Sequence, residues 1–208
     1  MVQNNTDMNV VSSCLDATFT QKRTWVNKFP VDRIARIATV FEKYPCFSNV
    51  TMIVGEIARV LKSAVTVDSA RVSLAEEIDT FLYYRIHKLV ILRPLPPKSN
   101  TDTKVKHLMN YLLQLFINES SKKKKTKTGH IVLEKTIKNL YLYTTDDGDE
   151  AIVMCGEKII LHSFSFSDAV IGLIEIHYVM EIEYDPHVMI AYTIFHYILF
   201  KDESSTDT

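Results

Sequence analysis

Cysteine is scarce, with three residues in a chain of 208, at Cys14, Cys46 and Cys155. An odd, widely spaced set argues against a disulfide framework and suits free thiols in a reducing compartment. No two of these cysteines stand two to four apart, and no His-x-x-x-His occurs. The common ligand spacings of a structural or catalytic zinc site are therefore missing. Glycine is equally sparse. Gly55, Gly129, Gly148, Gly156 and Gly172 never cluster, which excludes a phosphate-binding loop and a dinucleotide fingerprint. A net charge of −1 argues against a dedicated duplex-DNA binder, since phosphate contacts want a basic surface. The start, MVQNNTDMNVVSS, has neither the basic lead nor the apolar run of a secretory signal. The expected setting is the cell interior, nucleus or cytoplasm.

Other catalytic signatures fail in the same way. No serine stands in a nucleophile elbow. Cys46 follows Pro45 in apolar company and reads as core. A Cys155–His162 meeting across a hairpin would be coincidence. Asp146, Asp147, Asp149 and Glu150 bracket Gly148, but the twelve-residue register of a calcium loop is missing, and a hairpin turn explains them better. The sequence leads us to expect no catalytic residue, no metal and no cofactor.

What the chain does contain is core. Hydrophobic residues make up 47% of it, enough for one domain or two small ones with a sizeable interior. Residues 1–28 show no sustained period and are rich in Asn, Thr and Ser, so they read as a mobile arm with Trp25 docking on the first helices. Residues 29–118 form a helical region. Pro30 opens a helix with Val31, Ile34, Ile37, Ala38 and Phe41 on one face. Ser48 or Asn49 caps a second helix, which buries Val50, Ile53, Val54, Ile57, Val60 and Leu61. Gly55 within it either lets another helix approach or is simply tolerated. Asp68 or Ser69 begins a long third helix with Val72, Ala75, Ile78 and Leu82 inward. A fourth, over 104–118, turns Val105, Leu108, Met109, Leu112, Leu113 and Phe116 inward.

Residues 119–129 hold Lys122, Lys123, Lys124, Lys125 and Lys127, a charge run read as an exposed loop. It serves either as a solvated connector or as a localisation or nucleic-acid patch. No aromatic is interleaved to stack on bases. Residues 130–201 change period. About three short strands make an antiparallel meander, followed by a two-helix hairpin. Ser167 or Asp168 caps the first helix. Its apolar stripe includes Ala169, Val170, Leu173, Ile174, Ile176, His177 and Met180, and Glu175, Glu181 and Glu183 are left for water. Pro186 ends it and opens the next, with Asp185 as cap. The second helix buries Val188, Met189, Ala191, Tyr192, Phe195, Ile198 and Leu199. Pro186 and its charged neighbours also divide the only long apolar stretch, since a membrane-spanning helix needs about 20 mostly apolar residues. Residues 202–208 read as a frayed polar tail. The fold class is thus α+β and mostly helical: a four-helix layer, then a small meander packed by a helical hairpin.

The hairpin resembles the C-terminal region of transposon-associated animal proteins often labelled as sterile-alpha-motif-containing. Those chains carry a tyrosine-rich helix running into a Tyr-Pro corner and a closing aromatic helix. His177, Tyr178, Met180, Ile182, Tyr184 and Pro186 match, as do Phe195 and Tyr197. Asp185 departs, being inserted between tyrosine and proline. Leu92, Pro94, Leu95, Pro96 and Pro97 are similar to an upstream Leu-Pro-Pro element. The likeness covers roughly the second half of the chain. It implies an interaction role and brings no catalytic residues. The expected function is a non-enzymatic protein-interaction domain, with Tyr178, Tyr184, Tyr192 and Tyr197 as candidate partner-binding residues. The alternative is a nucleic-acid-associated accessory protein using Lys122, Lys123, Lys124, Lys125 and Lys127.

Overall fold

The computed structural model describes residues 7–28, 33–62, 64–88, 98–120, 140–144, 150–185 and 188–200. Six helices come first: α1 (Met8–Ala17), α2 (Phe19–Lys28), α3 (Arg33–Lys43), α4 (Val50–Leu61), α5 (Val67–Lys88) and α6 (Thr101–Ser120), with a 3₁₀ turn at Pro45–Ser48 before α4. Strands β1 (Leu140–Thr144), β2 (Ala151–Cys155) and β3 (Lys158–Ser163) follow, then α7 (Phe166–Val179) and α8 (Met189–Phe200). This is the mostly helical α+β class expected from the sequence. No helix among the described residues is long and apolar enough to cross a membrane.

The arm expected over residues 1–28 is a correction. Residues from Met8 to Lys28 form α1 and α2. The Asp7 carboxylate caps α1 by accepting from the Asn9 amide at 2.9 Å. These helices bury few side chains, Leu15 in α1 and Lys22 with Val26 in α2, so no apolar period announces them. Lys22 and Glu56 of α4 form a buried ion pair at 2.5 Å, 2% and 1% exposed. Lys22 Nζ also stands 5.0 Å from the Phe47 ring centroid, with Phe19 and Tyr44 beyond it. Burial pushes the Lys22 amine below its ordinary value, even against the pull of Glu56.

α4 begins where expected, with the Asn49 side chain accepting from the Thr51 amide at 2.8 Å. α5 starts one residue earlier than expected. Thr66 and Ser69 cap each other reciprocally, side-chain oxygen to backbone amide, at 2.9 and 3.1 Å. Its inward residues are Val67, Ala70, Leu74 and Ile78, while Val72, expected inside, is 54% exposed. In α6 the expected Val105, Leu108, Met109, Leu112 and Leu113 are all buried.

The sheet has the order β1-β2-β3, antiparallel throughout, with a bulge at Val153/Met154. Alternation sorts its side chains. Leu140, Leu142, Val153, Cys155 and Leu161 are buried on the face towards α7. Tyr141–Met154–Ile159 and Tyr143–Ile152–His162 align across the strands on the other face, half-buried or exposed.

α7 touches all three strands and α4, α5, α6 and α8, and each of its residues except Tyr178 is buried. Two carboxylates hold its N-terminal end. Asp102 of α6 accepts from the amides of Phe166 and Ser167 at 3.1 and 3.0 Å and from both serine hydroxyls, Ser165 and Ser167. Burial alone would push its carboxyl up, but the hydrogen bonds outweigh that and hold it below the ordinary range. Asp168 takes a two-pronged contact from Arg71 of α5 at 2.8 and 2.7 Å. The side-chain cap within the chain is Ser165, not Ser167 or Asp168, which sit buried inside the first turn.

α7 ends earlier than Pro186 requires. The Ile182 amide donates to the His177 carbonyl and the Glu181 amide to that of Tyr178. Together they close a left-handed C-terminal motif, with Glu181 at positive φ. α8 packs on α5, α6 and α7, so α7 is the member of the hairpin that covers the sheet. A second correction concerns Glu175. Expected in water, it is fully buried, and neither carboxyl oxygen has a hydrogen-bond partner among the described residues.

Candidate interaction surfaces

The suspected tyrosines fall into two environments. Tyr178, Tyr184 and Tyr192 join His177, His196 and Phe200 where α7 turns into α8. Centroid separations run from 4.8 Å, for His177–Tyr184 and His196–Phe200, to 6.4 Å for Tyr184–His196. The Tyr184 hydroxyl and His196 Nδ1 share a hydrogen bond of 3.0 Å. Tyr192 is buried, and burial pushes its hydroxyl above the usual tyrosine range. His177 donates from Nδ1 to the Leu173 carbonyl at 2.9 Å, and burial pulls its pKa down to about 4. These rings fill an internal corner. Of the four tyrosines, Tyr197 alone faces outward, 57% exposed. Lys122, Lys123, Lys124, Lys125 and Lys127 lie outside the described residues.

A groove stands elsewhere, and no local sequence signal marks it. This groove of about 970 Å³ runs between α1, the 3₁₀ turn, the first turn of α4 and the end of β3. Met8, Val11 and Leu15 of α1, Tyr44, Pro45 and Cys46, Val50 of α4 and Leu161 of β3 line it. Met8 and Val10 stand on its rim, 40% and 58% exposed. Its size matches ordinary ligand and peptide clefts. The walls are held from behind. Arg59 of α4 donates to the Ser12 carbonyl and hydroxyl at 3.2 and 2.9 Å and pairs with Asp16, fixing α1 against α4. Tyr44 is backed by the buried Lys22 and stacks near Phe47 at 5.8 Å.

The groove's charge is one-sided. Among the described residues that line it, Lys43 is the only Lys or Arg, and none is Asp or Glu. Lys43 Nζ rests 4.5 Å from the centroid of Trp25 and 5.8 Å from that of Tyr44, which lines the groove. The first turn of α4 presents the positive end of its helix to the same space. His162 lies at the other end and pairs with Glu150 at 3.0 Å. Of the two thiols in the lining, Cys14 is exposed. That of Cys46 is pushed up by burial, away from the thiolate that nucleophilic chemistry needs. Cys155, in register with Lys158, does not pair with His162, which sits opposite Ile152. Among the described residues no group of three His, Cys, Asp or Glu side chains is placed to hold a metal ion.

The outer sheet face is the third surface. Ile159, His162 and Phe164 are its most open members, with Ile159 and Phe164 62% and 78% exposed. Phe164 packs edge-on to His162 at 5.3 Å. Tyr141 is pinned by donating its hydroxyl to the Gly156 carbonyl at 3.0 Å. Compared with known protein families, curated proteins and solved structures, the chain matches none, so these surfaces are the guide to what it does.

Proposed function

We propose that the chain is a non-enzymatic protein-interaction domain whose groove between α1 and β3 takes an apolar partner segment bearing a carboxylate. The observation that carries this is the composition of the groove's described lining: apolar walls, exposed apolar rim residues, one lysine and no carboxylate. Apolar anchors in such a cleft supply most of the binding energy, and complementary charge sets orientation and specificity. The carboxylate sits against Lys43 and the α4 first turn. Of the four tyrosines, Tyr197 is the one exposed to a partner.

The test uses two fluorescein-labelled twelve-residue peptides with the same leucine positions, one with glutamates and one with lysines between them. Anisotropy is expected to show binding of the acidic peptide only. Val10→Asp and Lys43→Glu, both at exposed positions, are expected to weaken it at least ten-fold without unfolding the chain. Equal binding of both peptides, or binding indifferent to both substitutions, refutes the groove as the site.

A further inference from the structure

We infer that the partner segment enters the groove as an extended strand and adds to the sheet along the edge of β3. This rests on the groove as the binding site, and it names the partner's conformation and the bonds that hold it. β3 is the last strand in the order β1-β2-β3. Residue pairs along an antiparallel ladder alternate between bonded and unbonded, so every second residue of β3 turns its N–H and C=O away from β2. Among the described residues, no backbone hydrogen bond outside the ladder involves residues 158–163. A strand lying about 4.8 Å away takes up those outward groups.

The lining places the groove along that edge. Leu161, His162 and Ser163 all line it, and no described residue of β1 or β2 does. Successive side chains point to opposite faces of a sheet. A space over one face would meet alternate residues and reach the neighbouring strand. A space that meets three consecutive residues of the last strand runs beside its backbone. The 3₁₀ turn also approaches β3, and its Pro45, Cys46 and Ser48 line the same groove, so the space lies between turn and strand. Edge strands are commonly guarded against pairing by lysines, prolines and bulges. β3 carries such guards only towards its hairpin end, where Lys158 is exposed and the register skips Ile160. Its last three residues, the ones lining the groove, hold no lysine and no proline. In strand addition, main-chain bonds supply affinity and alternate side chains specificity. The partner that fits is an extended segment with an apolar residue at every second position and a carboxylate between.

The test uses two fluorescein-labelled twelve-residue peptides of identical leucine and glutamate content. One alternates the two residues strictly, and the other sets its leucines three and four apart, at helical spacing. Anisotropy with the full chain is expected to show the alternating peptide binding about ten-fold more tightly. Methylating its backbone nitrogens one at a time then removes single donors without touching a side chain. Affinity is expected to fall about five- to ten-fold at every second position of the bound stretch and to hold at the positions between. Val10→Asp and Lys43→Glu are expected to weaken the alternating peptide too, which places it in the groove. A helically spaced peptide that binds as tightly, or a methyl scan without the two-residue period, overturns the strand mode. The groove itself stands in that case if both variants still weaken binding. No binding of either peptide, or binding indifferent to both variants, refutes the groove and the strand mode with it.

Discussion

Replacing Glu175 by methionine is expected to stabilise the protein. Glu175 sits in the most buried helix, 0% exposed, with no hydrogen-bond partner for either oxygen among the described residues. A buried polar group left unpaired costs about 1–3 kcal/mol. Methionine has a similar unbranched length, is a good helix former, and adapts to irregular packing. The expected gain is thus about 1–3 kcal/mol at low pH, where both states keep the proton, or a rise in Tm of roughly 2–12 °C for a chain of this size, and it grows as pH rises. The pH dependence gives an independent sign. Burial raises the Glu175 carboxyl well above its ordinary 4.5, so the folded state keeps a proton that the unfolded state releases. Its contribution is complete below pH 4.5 and is lost as pH rises towards the folded value. The slope of that loss is about 1.4 kcal/mol per pH unit. Urea unfolding of wild type and Glu175→Met between pH 5 and 8 measures both effects. The stability difference between the two is expected to widen with pH in favour of the variant. A methionine variant that is less stable at pH 7, or a difference that stays flat with pH, would falsify the reasoning. Either result would mean that Glu175 is ionised and paired.

Other perturbations follow from the same packing. His177→Phe is expected to remove an acid limb. The histidine's pKa is held at about 4 when folded against 6.5 when free, so wild type loses stability as pH falls between those values and the variant does not. Urea midpoints at pH 4.5 and 6.5 report it. Asp102→Ala strips the acceptor shared by Ser165, Phe166 and Ser167. It is expected to cost about 1.5–3 kcal/mol by chemical denaturation, the range for hydrogen bonds to a charge. Lys22→Met leaves Glu56 buried and short of its closest cation. The expected loss is about 3–5 kcal/mol, and Lys22→Met with Glu56→Leu is expected to recover most of it in the same assay. At Gly172 even a Cβ would stand 2.8 Å from Leu161 Cδ1. Gly172→Val is therefore expected to lower Tm by several degrees through overpacking.

Elements with a strong period were legible before any coordinates. α6 keeps its described inward residues and α4 keeps Ile53, Val54 and Ile57 because buried positions recur at helical spacing, whereas Leu61, expected inside at the end of α4, is exposed; the described strands show themselves through alternation and the turn at Gly156–Glu157. α1 and α2 were not legible, because a helix that buries one or two side chains leaves no period. One of those two in α2 is a lysine, which sequence reasoning assigns to water. Glu175 was misassigned for the same reason: a single carboxyl inside an otherwise apolar helix looks like its wet edge. In α5 Ile78 is buried as expected and Val72 is not, because apolar residues appear on more than one of the helix's sides. Tyr178, Tyr184 and Tyr192 gather at the α7–α8 corner, but their spacing in the sequence does not say which face packs inward. The groove drew on α1, the 3₁₀ turn, α4 and β3, segments far apart in the chain, so no local pattern could mark it. The ring-bearing sheet face was half visible. Tyr141 and Tyr143 alternate in β1, but their alignment with His162 depends on strand order and register.

The most direct measurement of the central claim, that the groove receives an apolar, carboxylate-bearing segment, is amide chemical-shift mapping. A ¹⁵N-labelled chain would be titrated with the acidic peptide. The account expects shifts confined to α1, residues 43–51 and Leu161–Ser163, absent in Lys43→Glu. Shifts centred on Tyr141, Tyr143 and Phe164, or none at a peptide excess that saturates anisotropy, would contradict it.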